Sequence, residues 1–152
     1  MPPDRPYIER NAHELERLRA LVERLSDAEL GLPVNEDWTV AGVLGHIAFW
    51  DARQLALADK LEHGVPFGPS DVEPEDVDWI NDSTRPLIHA IPPGEAARVA
   101  LRLAEETDRR MAALDPARLW PADPESVMNP MRATHRGEHL DEIEAALRHR
   151  SV

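Results

Sequence analysis

Residues 131–150 read MRATHRGEHLDEIEAALRHR, and a row of side chains at intervals of four runs through this segment. Residues i and i+4 lie one above the other on an α-helix. The row consists of Met131, His135, His139, Ile143 and Leu147. It predicts a helix from about Pro130, since proline is tolerated at a helix start, to about His149. His135 and His139 then interrupt an apolar ridge that faces the core, where a polar ring needs a partner.

Apolar residues at three- and four-residue steps predict three further long helices upstream of this segment. They cover about residues 7–26, 39–62 and 94–114. Ser26 and Asp27 are expected to begin a turn after the first of them. Thr39 is a good N-cap for the second, and Gly64 supplies its C-terminal stop. Four long helices around one core are therefore expected.

The connection between the second and third long helices is the least regular part of the sequence. Residues 64–74 are rich in glycine and proline and are typical of a crossover or lid-like loop. A short helix is expected from Glu75 to about Thr84, with Pro86 bending or ending it and residues 85–91 resuming it. No segment alternates as a β-strand does. The prediction is an all-α four-helix bundle, a single domain over residues 1–152, with a short extra helix in the crossover.

The composition excludes several functional classes. The 152 residues carry a net charge of −12, which disfavours nucleic acid and anionic membranes as partners. The chain has no cysteine, so it forms no disulfide, no thiolate metal site and no thiol nucleophile of its own. The N-terminus has no apolar run typical of a signal peptide, and no segment approaches 18 consecutive apolar residues. We expect a cytoplasmic protein that binds a small molecule.

Two histidines at this spacing can chelate one metal ion, or they can be core histidines satisfied by hydrogen bonds. A catalytic zinc site has three protein ligands and an open position, so a third ligand is needed. The other histidines are His13, His46, His63, His89 and His149. His46 is favoured because it stands between Val43 and Trp50 on the inward side of its helix. Its height would match that of His135 best if the two helices were parallel.

Residues 135–139 also satisfy H-x-x-E-H, the signature of the inverzincin proteases. In that interpretation Glu138 is the general base, and Glu142 or Glu144 is the third ligand. We do not favour it, because the chain is short for such a protease. Glu138 also points to the flank of the helix and is explained by a solvated position.

Two segments resemble those of a known family. DWTVAGVLGHIAFWD (residues 37–51) resembles the second helix of the DinB-like, YfiT-type metalloenzymes, and THRGEHLDEI (residues 134–143) resembles their fourth. The resemblance spans essentially the whole chain, with Asp51 where glutamate is commoner. It implies an up-down-down-up bundle with a divalent metal held by His46, His135 and His139. The family includes transferases and isomerases that use mycothiol or bacillithiol.

Several residues near the predicted site are candidates for lining a pocket that binds cofactor or substrate. Arg132 is a candidate anion-binding group, or a surface arginine. Trp50 and Asn81 are candidate pocket walls, although core packing explains Trp50 and a turn or cap explains Asn81. Trp79 is a further candidate pocket wall, although core packing is the favoured explanation. Asp51 is expected to be a solvated charge rather than a hydrogen-bond acceptor for a histidine.

The resulting hypothesis is a metal-dependent enzyme with an open three-histidine site that binds a divalent metal, with Zn²⁺ or Ni²⁺ favoured. It would act as a thiol-dependent transferase or isomerase that uses a low-molecular-weight thiol, or as a hydrolase. The alternatives are a non-catalytic metal-binding or stress-related binding module, and a metal-free bundle that binds a partner. A homodimer is plausible for a bundle of this kind.

Overall fold

The computed structural model describes residues 4–71 and 77–150, and it is helical throughout these ranges. The α-helices are α1 (Pro6–Arg24), α2 (Asp27–Leu30), α3 (Val40–Glu62), α4 (Val77–His89), α5 (Pro93–Ala113) and α6 (Ala133–Arg150). Short 3-10 turns lie at Pro69–Asp71 and Pro116–Arg118. The described residues contain no strand, so the all-α prediction is confirmed. None of these helices is long and apolar enough to cross a membrane.

Local capping explains where two of the helices, α3 and α2, begin. The Thr39 side chain accepts a hydrogen bond from the backbone N–H of Gly42 at 2.9 Å, which confirms the predicted cap of α3. Ser26 begins a short helix, α2, rather than a simple turn. Its side chain accepts from the N–H of Glu29, whose carboxylate accepts in return from the N–H of Ser26.

Side-chain contacts between the long helices show which pairs are parallel and which are antiparallel. Asn11 near the start of α1 contacts the backbone of Arg132 just before α6, and Arg17 further along contacts Asp141. These two helices are therefore parallel. Arg19 reaches Glu105, whereas Arg5, earlier in the chain, reaches the carbonyl of Ala112, so α1 and α5 are antiparallel.

The same contacts show that α3 and α5 are parallel. Thr107 lies beside the carbonyl of Asp51, and Met111 lies one turn further along beside Gln54. The order is thus up for α1, down for α3 and α5, and up for α6. The predicted up-down-down-up bundle is confirmed, with α4 in the crossover between the two parallel helices.

Helix α4 is continuous through Pro86, so the expectation that this proline ends the helix is wrong. Proline removes one backbone donor and leaves the carbonyl four residues earlier unpaired. Pro86 is exposed, so water can solvate that carbonyl. The expected start at Glu75 lies outside the described residues. Trp79 is 62% exposed, so its expected core packing is wrong.

Glycines at two positions of α3 allow the end of α4 to pack closely on it. A Cβ on Gly42 would lie 2.3 Å from Nε2 of His89, and a Cβ on Gly45 would lie 2.5 Å from Cγ2 of Ile88. Ile88 is buried at this contact. The two glycines thus fix how closely the crossover helix approaches the bundle.

Helix α6 begins at Ala133 rather than at Pro130, and a side chain from another helix caps it. Asn11 accepts hydrogen bonds from the N–H groups of Arg132 and Ala133, each at 2.9 Å. Its amide also donates to the carbonyl of Pro130 at 2.9 Å. Because Asn11 satisfies the backbone donors at this end, the first turn of α6 forms where α1 places the asparagine.

The buried face of α6 also differs from the expected ridge. Its fully buried residues are Ala133, Arg136, Leu140 and Ile143. His135 and His139 lie half-buried beside this face, so at these two residues the predicted row follows its edge, and it reaches the buried face at Ile143. The centre includes a charged residue, which apolar periodicity alone does not reveal.

The core consists of two apolar clusters. One surrounds Leu18, Val43 and Leu140, and the other surrounds Leu57 and Met111. Along each long helix a buried polar residue stands between the two clusters. These residues are Asn11, Asp51, Gln54, Thr107 and Arg136. They form a polar layer across the bundle, which borders the predicted site.

Candidate metal centre

His46 lies on the second turn of α3 and is buried between two tryptophans. Its ring centroid is 5.4 Å from that of Trp38 and 6.5 Å from that of Trp50, both with edge-on geometry. Trp38 stands just before the Thr39 cap, so the cap that starts α3 also places this ring. His46 is 7% exposed, in agreement with its predicted inward position.

His135 and His139 come from α6 and meet His46 in one cluster. The Nε2 atoms of His46 and His135 are 3.3 Å apart, and one ligand nitrogen from each of the three rings lies within 4.8 Å of the others. The ring centroids of His135 and His139 are 4.6 Å apart, as are those of His46 and His139. The structure therefore brings together all three residues predicted to hold a metal.

The two helices that meet at this cluster are antiparallel, which corrects the height argument from the sequence. Asp51, further along α3 than His46, contacts Arg132, which precedes His135. Gln54, further still, contacts the carbonyl of Asn129. The segment before α6 thus runs beside the middle of α3, and α6 begins halfway along it. The histidines meet at one height because of this offset, without the helices being parallel.

The pKa values of the two inner histidines favour neutral rings. Burial lowers the pKa of His46 to about 4, with a further contribution from His139. Burial lowers the pKa of His135 to about 2, and His139, Arg132, His46 and Arg136 add to the effect. A neutral imidazole has one nitrogen lone pair available to a metal, whereas a protonated one has none.

The polar surroundings of the cluster fit a cation. The Nδ1 atoms of His46 and His135 are buried and have no hydrogen-bond partner among the described residues. Three clustered imidazoles suit Zn²⁺, Ni²⁺ or Fe²⁺, since these borderline cations prefer nitrogen donors. A divalent metal would bind the Nε2 lone pairs of His46 and His135, which face each other at 3.3 Å, while the Nδ1 atom of each ring carries its proton. The donor set and its burial therefore match the predicted ligand role.

His139 has a polar partner on its own helix. Its Nδ1 lies 3.3 Å from Oε2 of Glu142, one turn further along. A proton on Nδ1, held by this carboxylate, leaves the lone pair on Nε2. Glu138 is exposed, and Glu144 pairs with Arg17 on α1. None of these glutamates joins the cluster as a ligand, so the protease interpretation has no support in the described residues.

A buried network of charges, which the sequence did not predict, lies next to the histidines. Nε of Arg132 donates to Oδ1 of Asp51 at 2.9 Å. Arg136 donates to both carboxylate oxygens of Asp108, at 3.0 and 2.9 Å, and lies 3.6 Å from Asp51. Asp51 is 1% exposed, so the expectation of a solvated charge is wrong. The only sign of this network in the sequence was a polar residue among the apolar residues of each long helix.

The three candidate pocket residues surround the cluster in different ways. Nε1 of Trp50 donates to Oδ1 of Asn81 at 3.0 Å, which joins α3 to α4. Asn81 lies inside α4, so its expected turn or capping role is wrong. Trp50 is half-buried rather than in the core, and Arg132 is ion-paired and mostly buried rather than a surface residue. Their contact with a cofactor or substrate stays a prediction.

The remaining histidines lie outside the cluster. His13, His63 and His149 are exposed, as their positions indicated. His89, whose position the sequence left ambiguous, contacts Trp38 with ring centroids 5.4 Å apart. Trp38 therefore packs against both His89 and His46.

A groove of about 480 Å³ lies between α1 and α5, and none of the three histidines lines it. Its walls include Tyr7, Ile8, Leu15 and Arg109. Groove size alone says nothing of chemistry, whereas the histidine cluster combines donors, burial and geometry. We therefore place the functional site at the cluster.

Comparison with known proteins identifies the family. Residues 11–146 match the family model described as the DinB superfamily, a range that includes all three histidines. A search of curated proteins and a search of solved structures each gave no significant match. Since the family match covers most of the chain, the protein belongs to the DinB superfamily.

Proposed function

We propose that this protein is a metal-dependent enzyme that binds Zn²⁺ or Ni²⁺ through His46, His135 and His139. The observation that carries the proposal is the convergence of three imidazoles from α3 and α6, with ligand nitrogens within 4.8 Å of one another. Two of these histidines come from one helix and the third from its antiparallel neighbour. The bundle therefore has to be folded before all three can bind one ion.

The number of ligands supports a catalytic rather than a structural metal. A structural zinc site is closed by four protein ligands, whereas a catalytic site has three and keeps one position open. Within residues 4–71 and 77–150, no aspartate, glutamate or fourth histidine joins the cluster. His46 is buried, whereas 21% of the side chain of His139 is exposed, so the open position is expected on the α6 side of the site.

The chemistry that we propose is activation of a thiol or of water. A divalent metal lowers the pKa of a thiol or water that it binds and so supplies a nucleophile at neutral pH. The chain has no cysteine, so a reacting thiol has to come from a small molecule. The three imidazoles contribute no negative charge to the proposed metal site. Glu142 holds His139 in the orientation that this role requires.

The test is metal analysis of the untagged protein and three variants. We expect stoichiometric Zn²⁺ or Ni²⁺ in the wild type and in His149→Ala, a matched control at the exposed end of α6. We expect its loss in His46→Ala and in His139→Ala, because two imidazoles bind a divalent ion far more weakly than three. Unchanged metal content in both ligand variants would contradict the assignment.

The open position has its own test. Addition of 2-mercaptoethanol to the Co²⁺-loaded protein is expected to produce a thiolate-to-cobalt charge-transfer band. A closed structural site would give no such band, which would favour a non-catalytic metal-binding role over an enzyme.

A further inference from the structure

Arg132 combines three properties that an anion-binding residue requires. Its Nε is held by the buried carboxylate of Asp51 at 2.9 Å. Its side chain is 14% exposed, so the guanidinium is fixed in place without being sealed off. Its two Nη nitrogens make no hydrogen bond to any described residue. An arginine presents five donors in a planar fork, and here most of that fork is available to a ligand.

Arg132 also lies close to the histidines. It stands three residues before His135, on the turn that leads into α6, where its carbonyl accepts a hydrogen bond from the N–H of Arg136. Residues three apart on a helical turn are neighbours on one face. Arg132 and His135 are therefore neighbours at the start of α6.

The second arginine of the network, Arg136, differs from Arg132 in its exposure and in the partners of its Nη nitrogens. Arg136 is 1% exposed, and its Nη nitrogens are taken by both oxygens of Asp108 and by the carbonyl of Asn11. It has no free donor that faces solvent. The arrangement thus has one arginine that maintains the bundle and one whose Nη donors have no hydrogen-bond partner within residues 4–71 and 77–150.

We infer that Arg132 binds an anionic group, a carboxylate, on the ligand that occupies the open position of the histidine site. This inference rests on the proposed function, since it places the carboxylate next to a group bound by the metal. It deepens that function by naming a substrate class: a small molecule with a metal-binding donor, such as a thiol, and a carboxylate within a few bonds of it. The matching geometry is bidentate, because carboxylate oxygens pair with two parallel N–H donors.

The test uses the Co²⁺-loaded protein and two probe pairs. Mercaptoacetate and 3-mercaptopropionate each carry a thiol and a carboxylate, and the carboxamide of each is its neutral match. Dissociation constants are read from the thiolate-to-cobalt band at low ionic strength. For wild type we expect at least one of the two acids to bind roughly tenfold more tightly than its amide, as a hydrogen-bonded charge pair predicts.

The variant removes the arginine without leaving a buried charge. Arg132→Gln alone removes the hydrogen bond to the buried carboxylate of Asp51, which then keeps only Arg136 at 3.6 Å and can destabilise the fold. The informative variant is therefore the double change Asp51→Asn with Arg132→Gln. We expect it to retain Co²⁺ binding, because Asn11 still caps α6, and to bind acid and amide equally. Arg148→Gln, an exposed arginine at the far end of α6, is expected to retain the preference for the acid.

The outcomes separate this inference from the proposed function. If the wild type binds no Co²⁺, the metal site itself is wrong and the inference falls with it. If Co²⁺ binds but the ratio between acid and amide is the same in wild type and double variant, only the role of Arg132 is overturned. A ratio lost in the double variant and retained in Arg148→Gln supports it.

Discussion

The histidines of the cluster differ in how their ring nitrogens are satisfied. His46 is buried and His135 is half-buried, and their Nδ1 atoms have no partner among the described residues. His139 is more exposed and has the carboxylate of Glu142 beside its Nδ1. Packing between Trp38 and Trp50 holds the ring of His46, whereas the carboxylate of Glu142 orients the ring of His139. A residue outside the ligand set therefore influences the site through one contact.

Replacement of Glu142 by alanine is expected to weaken metal binding by roughly tenfold, because residues that orient a ligating histidine usually contribute at least that much. The measurement is competition with a chromophoric chelator. Glu138→Ala is the matched control, since that carboxylate is exposed on the same helix and is expected to have no effect. A larger loss in Glu138→Ala than in Glu142→Ala would revive the protease-like interpretation of this segment.

Helix α6 owes its position to contacts made by other elements. Its first turn is capped by Asn11 from α1, and Asp51 of α3 pairs with Arg132 just before it. Both contacts lie within one turn of His135. The start of the helix and the height of the histidines are therefore set together.

Asn11→Ala is expected to lower the free energy of unfolding by about 2–3 kcal/mol, since it removes a cap and leaves buried backbone donors unpaired. Urea denaturation of the metal-free protein measures this. Ser26→Ala, which removes the exposed cap of α2, is expected to cost only about 1 kcal/mol. Equal losses in the two variants would mean that the buried position of Asn11 adds nothing.

Across the whole bundle, a polar layer separates two apolar clusters. Arg136 is the centre of this layer and contacts α1 through Asn11, α5 through Asp108 and α3 through Asp51. A buried ion pair is weak evidence for stability in itself, since desolvation offsets the attraction. Its directional contacts instead select one arrangement of the four long helices.

Arg136→Met is expected to destabilise the fold by roughly 3 kcal/mol, because it leaves Asp108 and Asp51 without this partner in a largely buried layer. Urea denaturation measures the loss. Arg17→Met is the matched control, since Arg17 is a partly exposed arginine that pairs with Glu14, Asp141 and Glu144. Its expected cost is below about 1 kcal/mol, as for surface ion pairs in general. A similar cost for both variants would show that burial of Arg136 is energetically unimportant.

The four long helices and the three histidines could be predicted from the sequence because their signals are local. Apolar periodicity, the Thr39 cap and the spacing of His135 and His139 all depend on neighbours within about two turns. The up-down-down-up order followed from a family resemblance rather than from any of these patterns.

The details of the site could not be predicted from the sequence, because they depend on contacts between residues that are distant in the chain. The sequence shows Arg136 only as a charged residue. Its burial depends on Asp108 and Asn11, which accept its hydrogen bonds. The start of α6 depends on Asn11, more than a hundred residues earlier. The meeting of antiparallel helices at His46 depends on where the segment before α6 lies against α3. Local free energies select the helices, whereas the pairing of buried charges and backbone donors selects how they fit together.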